Sequence, residues 1–388
     1  MRPTRLVLFV VSILALAACA DDVAAPADDP GRAAVAAALT IDLDALPSYA
    51  STPLPPTYTP EVLAREDGTV TAPITNAGAT LGRVLFYDRQ LSITGTVSCA
   101  SCHARAQGFA DTARFSVGFD GVGRTTAHAM RLANARFNAS GQFFWDRRAA
   151  TLEAQVTQPI QNAVEMGFDA AHGGLSALLQ RIDSLPYYPP LLRLAFGDAV
   201  VTEARVQRAL AQYVRSLVSV TSRWDQAAAQ QGPTPGPFVA FTAQEREGQT
   251  LFMTPPGAGG AGCAGCHVPP SFSLAANSRS NGLDAGETRI FRAPSLKNVA
   301  RSSHFMHDGR FTTLEQVVAF YDSGVQDGAA LDNRLTMPAP PPAPPGTRVP
   351  QRLGLTVAQR SALVAFLRTL DDDALAADPK FSDPFRRP

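Results

Sequence analysis

The pattern Cys-x-x-Cys-His occurs twice, as Cys99-Ala-Ser-Cys102-His103 and Cys263-Ala-Gly-Cys266-His267. It is the attachment motif of c-type haem, in which two thiols bond to the porphyrin and the adjacent histidine ligates the iron. The short spacing presents both sulfurs to one porphyrin edge and turns the imidazole over its face. A disulfide, a redox pair and a zinc site compete with this reading. Zinc needs four ligands converging on one centre, of which each cluster supplies only part. A redox pair has no use for a histidine in the same place twice. The expectation is two covalently bound haems c, held by Cys99, Cys102 and His103 and by Cys263, Cys266 and His267. Such a chain is expected to be mainly α, with two c-type cytochrome-like haem domains in tandem.

The fifth cysteine, Cys19, belongs to the leader. Arg2 and Arg5 precede an apolar run from Leu6 to Ala18, too short to span a bilayer, which takes about 20 residues. Leu16-Ala17-Ala18-Cys19 resembles a lipobox, so residues 1–18 read as a lipoprotein signal and Cys19 as the lipidated N-terminus. Residues 19–70, rich in Ala, Asp and Pro, read as a flexible tether. The expected location is the periplasm, with membrane contact only through the lipid. Among the 388 residues, 34 basic side chains balance 34 acidic ones, which argues against a nucleic-acid partner.

The two halves follow one order. Leu81, Val84 and Leu85 lie at helical spacing before the first motif, and Val206, Leu210, Tyr213, Val214 and Leu217 stripe a helix expected to end near Val220. Thr242-Ala-Gln-Glu245 reads as a capping box that opens a helix through Phe252. Thr356-Val-Ala-Gln359 opens another, with Leu363, Phe366, Leu367 and Leu370 on one face. The expected domains are 71–228 and 238–375, divided at Gln230–Pro237. The Pro-rich piece Pro338–Pro345 is a surface loop of the second.

What a haem does depends on its far face: a second protein ligand makes an electron carrier, and an open face admits peroxide or oxygen. An open site also needs a group that takes a proton from peroxide and returns it to the departing oxygen. A carboxylate in an apolar pocket suits that task, because burial raises its pKa.

Gly141-Gln-Phe-Phe-Trp-Asp-Arg-Arg148, Thr151-Leu-Glu-Ala-Gln155 and Pro159-Ile-Gln-Asn-Ala-Val-Glu-Met-Gly167 resemble the bacterial dihaem cytochrome c peroxidase family, which includes the MauG-type enzymes. Phe291-Arg-Ala-Pro-Ser-Leu-Lys-Asn298 and Phe305-Met-His-Asp-Gly309 extend the resemblance, which runs from about residue 75 to 372. It implies a peroxidatic haem on His103 and an electron-transfer haem on His267. It also implies Glu165 as acid/base, Gln155 and Pro159 in the distal pocket, and Trp145 as the bridge between the haems.

Two departures qualify this. Many members place a blocking histidine sixteen residues after the first motif's His; here that residue is Phe119, so the first iron is expected to be open, with His128 as the rival ligand. Near His128 the pattern usually has an Asn linked to an inter-domain calcium, so calcium binding is in doubt. Fourteen residues after His307, where peroxidases carry a Met, stands Tyr321, as in MauG-type enzymes; Met306 and Met337 are its rivals as ligand. The resemblance implies a peroxidase that reduces hydrogen peroxide with electrons from a small cytochrome c or cupredoxin, active without prior reduction. The alternative is a MauG-like oxidase using high-valent iron on a protein or organic substrate, and a pure electron carrier ranks third.

Overall fold

Before each CxxCH motif stands a helix, and after each variable middle a second helix packs against it. The computed structural model describes residues 30–64, 73–138, 140–232 and 236–387; the leader and Cys19 lie outside them. Strand pairing among these residues is limited to two two-stranded antiparallel ladders, so the chain is mainly α, as expected.

The first half opens with α1 (Pro30–Ala38) and α2 (Pro60–Leu63). Over residues 30–64 this departs from the expected flexible tether of 19–70; residues 19–29 and 65–70 lie outside the described residues. Val35, Leu39 and Tyr49 are buried in the first core, and Tyr58 and Val62 in a small cluster with Phe137 and Val218. These scattered apolar residues have no regular period, which is why they do not read as an element. Helix α3 (Asn76–Tyr87) starts at Thr75, whose hydroxyl accepts the Gly78 N–H at 3.0 Å. The turn α4 (Cys99–Cys102) follows, then α5 (Leu152–Val156), α6 (Gly174–Ser184), α7 (Tyr188–Phe196) and α8 (Glu203–Ser216). Helix α8 ends four residues before the expected Val220. Helices α3 and α8 cross at Gly82, where a Cβ would stand 2.0 Å from the Ala209 carbonyl oxygen. Only glycine permits that approach.

The second half repeats the device. Helix α9 (Arg223–Gln231) is followed by α10 (Ala243–Met253), α11 (Leu314–Ala319), α12 (Val357–Arg368) and α13 (Asp373–Ala377). Both expected capping boxes form, at Thr242/Glu245 and Thr356/Gln359. At Gly248 of α10 a Cβ would stand 1.9 Å from the Ala362 carbonyl oxygen of α12. Phe252, Phe272 and Phe366 fill the core beside that crossing. The Pro-rich piece forms the exposed end of a hairpin between Thr336–Pro338 and Arg348–Pro350.

The changeover differs from the expected Gln230–Pro237. Trp224, Ala227 and Ala228 of α9 belong to the second core, and Trp224 donates its N–H to the Thr369 carbonyl at 3.0 Å. The chain therefore crosses near residues 217–222. Fully buried Lys297 fixes that crossing, with its ammonium 2.6 Å from Asp225 and 3.0 Å from the Ser222 hydroxyl. At the other end the chain returns to the first half. Phe381 enters the first core, Leu39 pairs with Phe385, and the Tyr49 hydroxyl donates to the Lys380 carbonyl at 2.6 Å.

Candidate active site

Two cavities lie beside the two motifs. The first, about 710 Å³, is lined by Cys102 and His103 and also by Gln155, Pro159 and Glu165. His103 terminates α4, and its Nδ1 lies 2.9 Å from the Phe109 carbonyl. Phe109 is held in the left-handed region (φ 63°) to make this contact. The bond assigns the proton to Nδ1 and leaves the Nε2 lone pair for a metal. Burial lowers the His103 pKa, which keeps the imidazole neutral, and burial pushes the Cys99 and Cys102 thiols up to about 12 and about 11. An apolar crevice with two thiols and a neutral imidazole fits a haem c.

Across the cavity, Thr151 caps α5 and so orients Gln155. The loop after α5 turns back on itself, and the Asn162 side chain accepts the Glu165 N–H at 3.1 Å. The Glu165 pKa is raised by burial, with the Arg148 charge opposing. The other carboxylates on this cavity, Asp146 and Asp308, are paired with arginines. Glu165 makes no ion pair among the described residues. Phe119 does not line the cavity. It sits in a tight hairpin, its N–H donates to the Glu165 carbonyl at 3.1 Å, and its ring covers Gly167.

The second cavity, about 200 Å³, is lined by Cys263, Cys266, His267, Met306 and Tyr321. Burial and the Arg131 charge push the His267 pKa down to about 4. The α11 helix ends at Ala319 and opens into a π-turn over Phe320–Gly324, which carries Tyr321. Such turns are frequent at functional sites. Asn281 donates to the Tyr321 hydroxyl at 3.2 Å and to the Met306 sulfur at 3.4 Å. Both candidate ligands thus face the cavity of His267. Met337 does not: it lies in the surface hairpin, where its sulfur takes the Arg352 N–H at 3.4 Å. Burial pushes the Tyr321 phenol up to about 12, so only a strong cation would draw out its phenolate.

Trp145 lines both cavities. Phe144 and Arg147, both at positive φ, turn the chain sharply around it. Its indole N–H donates to the His128 carbonyl at 2.8 Å, and its own carbonyl accepts the Arg292 N–H at 2.8 Å. His307 stacks on Phe291 with ring centres 3.8 Å apart and meets Trp145 at 6.4 Å. Arg131 is buried between the cavities, held by Ser302 and the Ser295 carbonyl. Asn281, Phe291, His307 and Arg131 have no assignment in the sequence reading. The Phe291–Asn298 and Phe305–Gly309 stretches pointed to two of them.

Comparison with known proteins agrees with this geometry. The family profile described as di-haem cytochrome c peroxidase matches residues 76–232. The methylamine utilization protein MauG of Methylorubrum extorquens is 32% identical over 321 residues, covering 78% of this chain and 81% of that protein. Cytochrome c551 peroxidase of Nitrosomonas europaea is 30% identical over 257 residues, covering 62% and 71%. The crystal structure of a MauG-like protein associated with microbial copper homeostasis superposes with a TM-score of 0.64 at 28% identity, covering 87% of this chain and 98% of that one. With motifs, fold and relatives in agreement, the chain belongs to the dihaem cytochrome c peroxidase/MauG family and is a peroxidase-type oxidoreductase dependent on haem c.

Proposed function

We propose that this chain is a periplasmic dihaem peroxidase that reduces hydrogen peroxide to water. The electrons come from a small cytochrome c or cupredoxin, and no prior reduction is needed. Two haem domains in tandem, meeting near residues 217–222, carry covalently attached groups on Cys99/Cys102/His103 and Cys263/Cys266/His267. Haem at His103 supplies the iron for peroxide reduction, and haem at His267 supplies an electron store.

The observation that carries this reading is Glu165, a desolvated carboxyl without an ion pair on the cavity of His103. Its raised pKa suits a group that accepts a proton from one peroxide oxygen and delivers it to the other. The balance is H2O2 plus two electrons and two protons giving two waters. Gln155 orients the peroxide from the same wall, and Pro159 keeps that wall free of competing donors. Trp145, common to both cavities, bridges the electron path.

Tyr321 favours a second reading, a MauG-like oxidase acting on a protein or organic molecule. A phenolate at His267's cavity would lower the potential relative to a Met and hold oxidising equivalents longer. Lipidation of Cys19 would tie the enzyme to a membrane face. None of the described helices is long and apolar enough to cross a membrane.

The deciding experiment adds hydrogen peroxide to the fully oxidised protein and follows both haem spectra. A fast change in both supports an open first site sharing oxidation with the second. No change until one haem is reduced overturns the activation-free reading. Turnover of a donor cytochrome then separates the peroxidase from an oxidase that consumes peroxide only with an organic substrate.

A further inference from the structure

The junction of the two halves holds a pair of imidazoles, one of them His128, which lines both cavities and is the rival ligand weighed above for the first iron. His128 comes from the first half and His304 from the second. Their ring centres lie 5.6 Å apart at 43°, and both line one cavity. His128 is 4% exposed. Its Nδ1 lies 3.2 Å from both the Ala113 and Arg114 carbonyls, so Nδ1 carries the proton. Its Nε2 then presents a lone pair, buried and with no hydrogen-bond partner among the described residues. On His304 the same logic holds. The Ser303 hydroxyl spends its hydrogen on the Asp111 or Thr112 carbonyl, at 3.2 and 3.1 Å. It therefore accepts from the His304 Nδ1–H at 3.1 Å, leaving the second Nε2 as an acceptor too.

Two neighbouring imidazoles, each fixed with Nδ1 protonated by a carbonyl or hydroxyl, form the outer-shell arrangement of metal-ligating histidines. Rings sharing one ion at a metal–nitrogen distance of ~2.0–2.1 Å place their centres roughly 5–6 Å apart. Calcium, the ion that the family pattern raised for this junction, does not fit, because it takes six to eight oxygens. Imidazole nitrogen suits zinc and copper. Asp111, a carboxylate whose charge reaches His128, is occupied by the Ser116 hydroxyl and the Ala113 N–H, so the remaining positions would fall to solvent.

We propose that His128 and His304 bind one divalent transition-metal ion, zinc or copper, that clamps the two halves together beside Trp145. His128 is well placed to transmit that binding. Its backbone N–H donates to the His307 carbonyl at 2.8 Å, and its backbone carbonyl accepts the Trp145 indole N–H.

The test titrates chelator-stripped holoprotein with zinc and reads bound zinc against haem iron by elemental analysis. One zinc per two irons is expected, retained through millimolar calcium. Outer-shell changes alone cost metal sites about 10–100-fold in affinity, so His128→Asn and His304→Gln should each cost more than that, with haem spectra intact. His304 is only half-buried, so its variant stays informative if the other fails to fold. Absent zinc binding, binding unchanged in His304→Gln, or displacement by calcium would overturn the site. Copper added to the same protein should show hyperfine splitting from two nitrogens, and its absence would count equally against the pair.

Discussion

At the residue scale, Glu165, proposed above as the acid/base, carries a stability cost. Its raised pKa means the folded protein binds this proton more tightly than the unfolded chain. Stability linked to it is therefore present below the ordinary glutamate value of ~4.3 and lost as pH rises through the raised one. Glu165→Gln should slow peroxide turnover about 10²–10⁴-fold with haem content unchanged. It should also melt higher than the parent at pH 7 and level with it at pH 4. Stopped-flow and calorimetry check the two halves of that statement, and equal turnover would remove Glu165 from the reaction. The acid limb of kcat/KM should fall above the normal carboxylate range. Tyr321→Phe should alter one low-spin haem spectrum, and an unchanged spectrum returns the ligand to Met306. The roles of Gln155, Glu165, Trp145 and Tyr321 are proposed above; their place on the two cavities was legible because family motifs fix them by local spacing. Asn281, 40 residues from Tyr321, and His304, 176 from His128, were not. Their pairing exists only once the loops have folded together.

At the element scale, two helix pairs were legible from apolar period and capping boxes, and their crossings were not. Glycine in a helix reads as a small weakness of ~1 kcal/mol. At Gly82 and Gly248 it is what lets the pairs close. Gly248→Ala should push α10 from α12 and cost about 1–3 kcal/mol, with the haem at His267 lost before that at His103. Thermal melts followed at each haem's absorbance would show the order, and simultaneous loss would mean the halves do not unfold separately. The α11 helix illustrates the opposite error. Leu314, Val317, Val318 and Tyr321 keep helical spacing, yet the structure widens at Phe320. The period of a six-residue helix is too short to reveal where the backbone changes its pitch.

At the scale of the whole molecule, Trp145, Phe291 and His307, supplied by both halves, line both cavities and meet through His307, which is the path proposed for electrons between them. Trp145→Phe should slow electron transfer between the haems while leaving peroxide binding to the oxidised protein unchanged; equal rates in flash-photolysis would refute the bridge. The order of the two halves was legible from the repeated motif. The boundary and the N-terminal segment were not. Trp224 and Val35 gain their partners from residues far along the chain, Phe272 for one and the core beneath α7 for the other.

That N-terminal segment sets how far a lipidated molecule can roam. If residues 19–70 were loose, a chain of some fifty residues would reach roughly 170 Å from the bilayer at full stretch. With α1 clasped to the C-terminal tail, the packed part of the molecule begins at Pro30, a contour distance of at most about 35 Å from Cys19. If Cys19 is lipidated as proposed, that bound keeps α1 close to the bilayer, and a redox donor would meet the enzyme near the membrane face rather than in the open compartment.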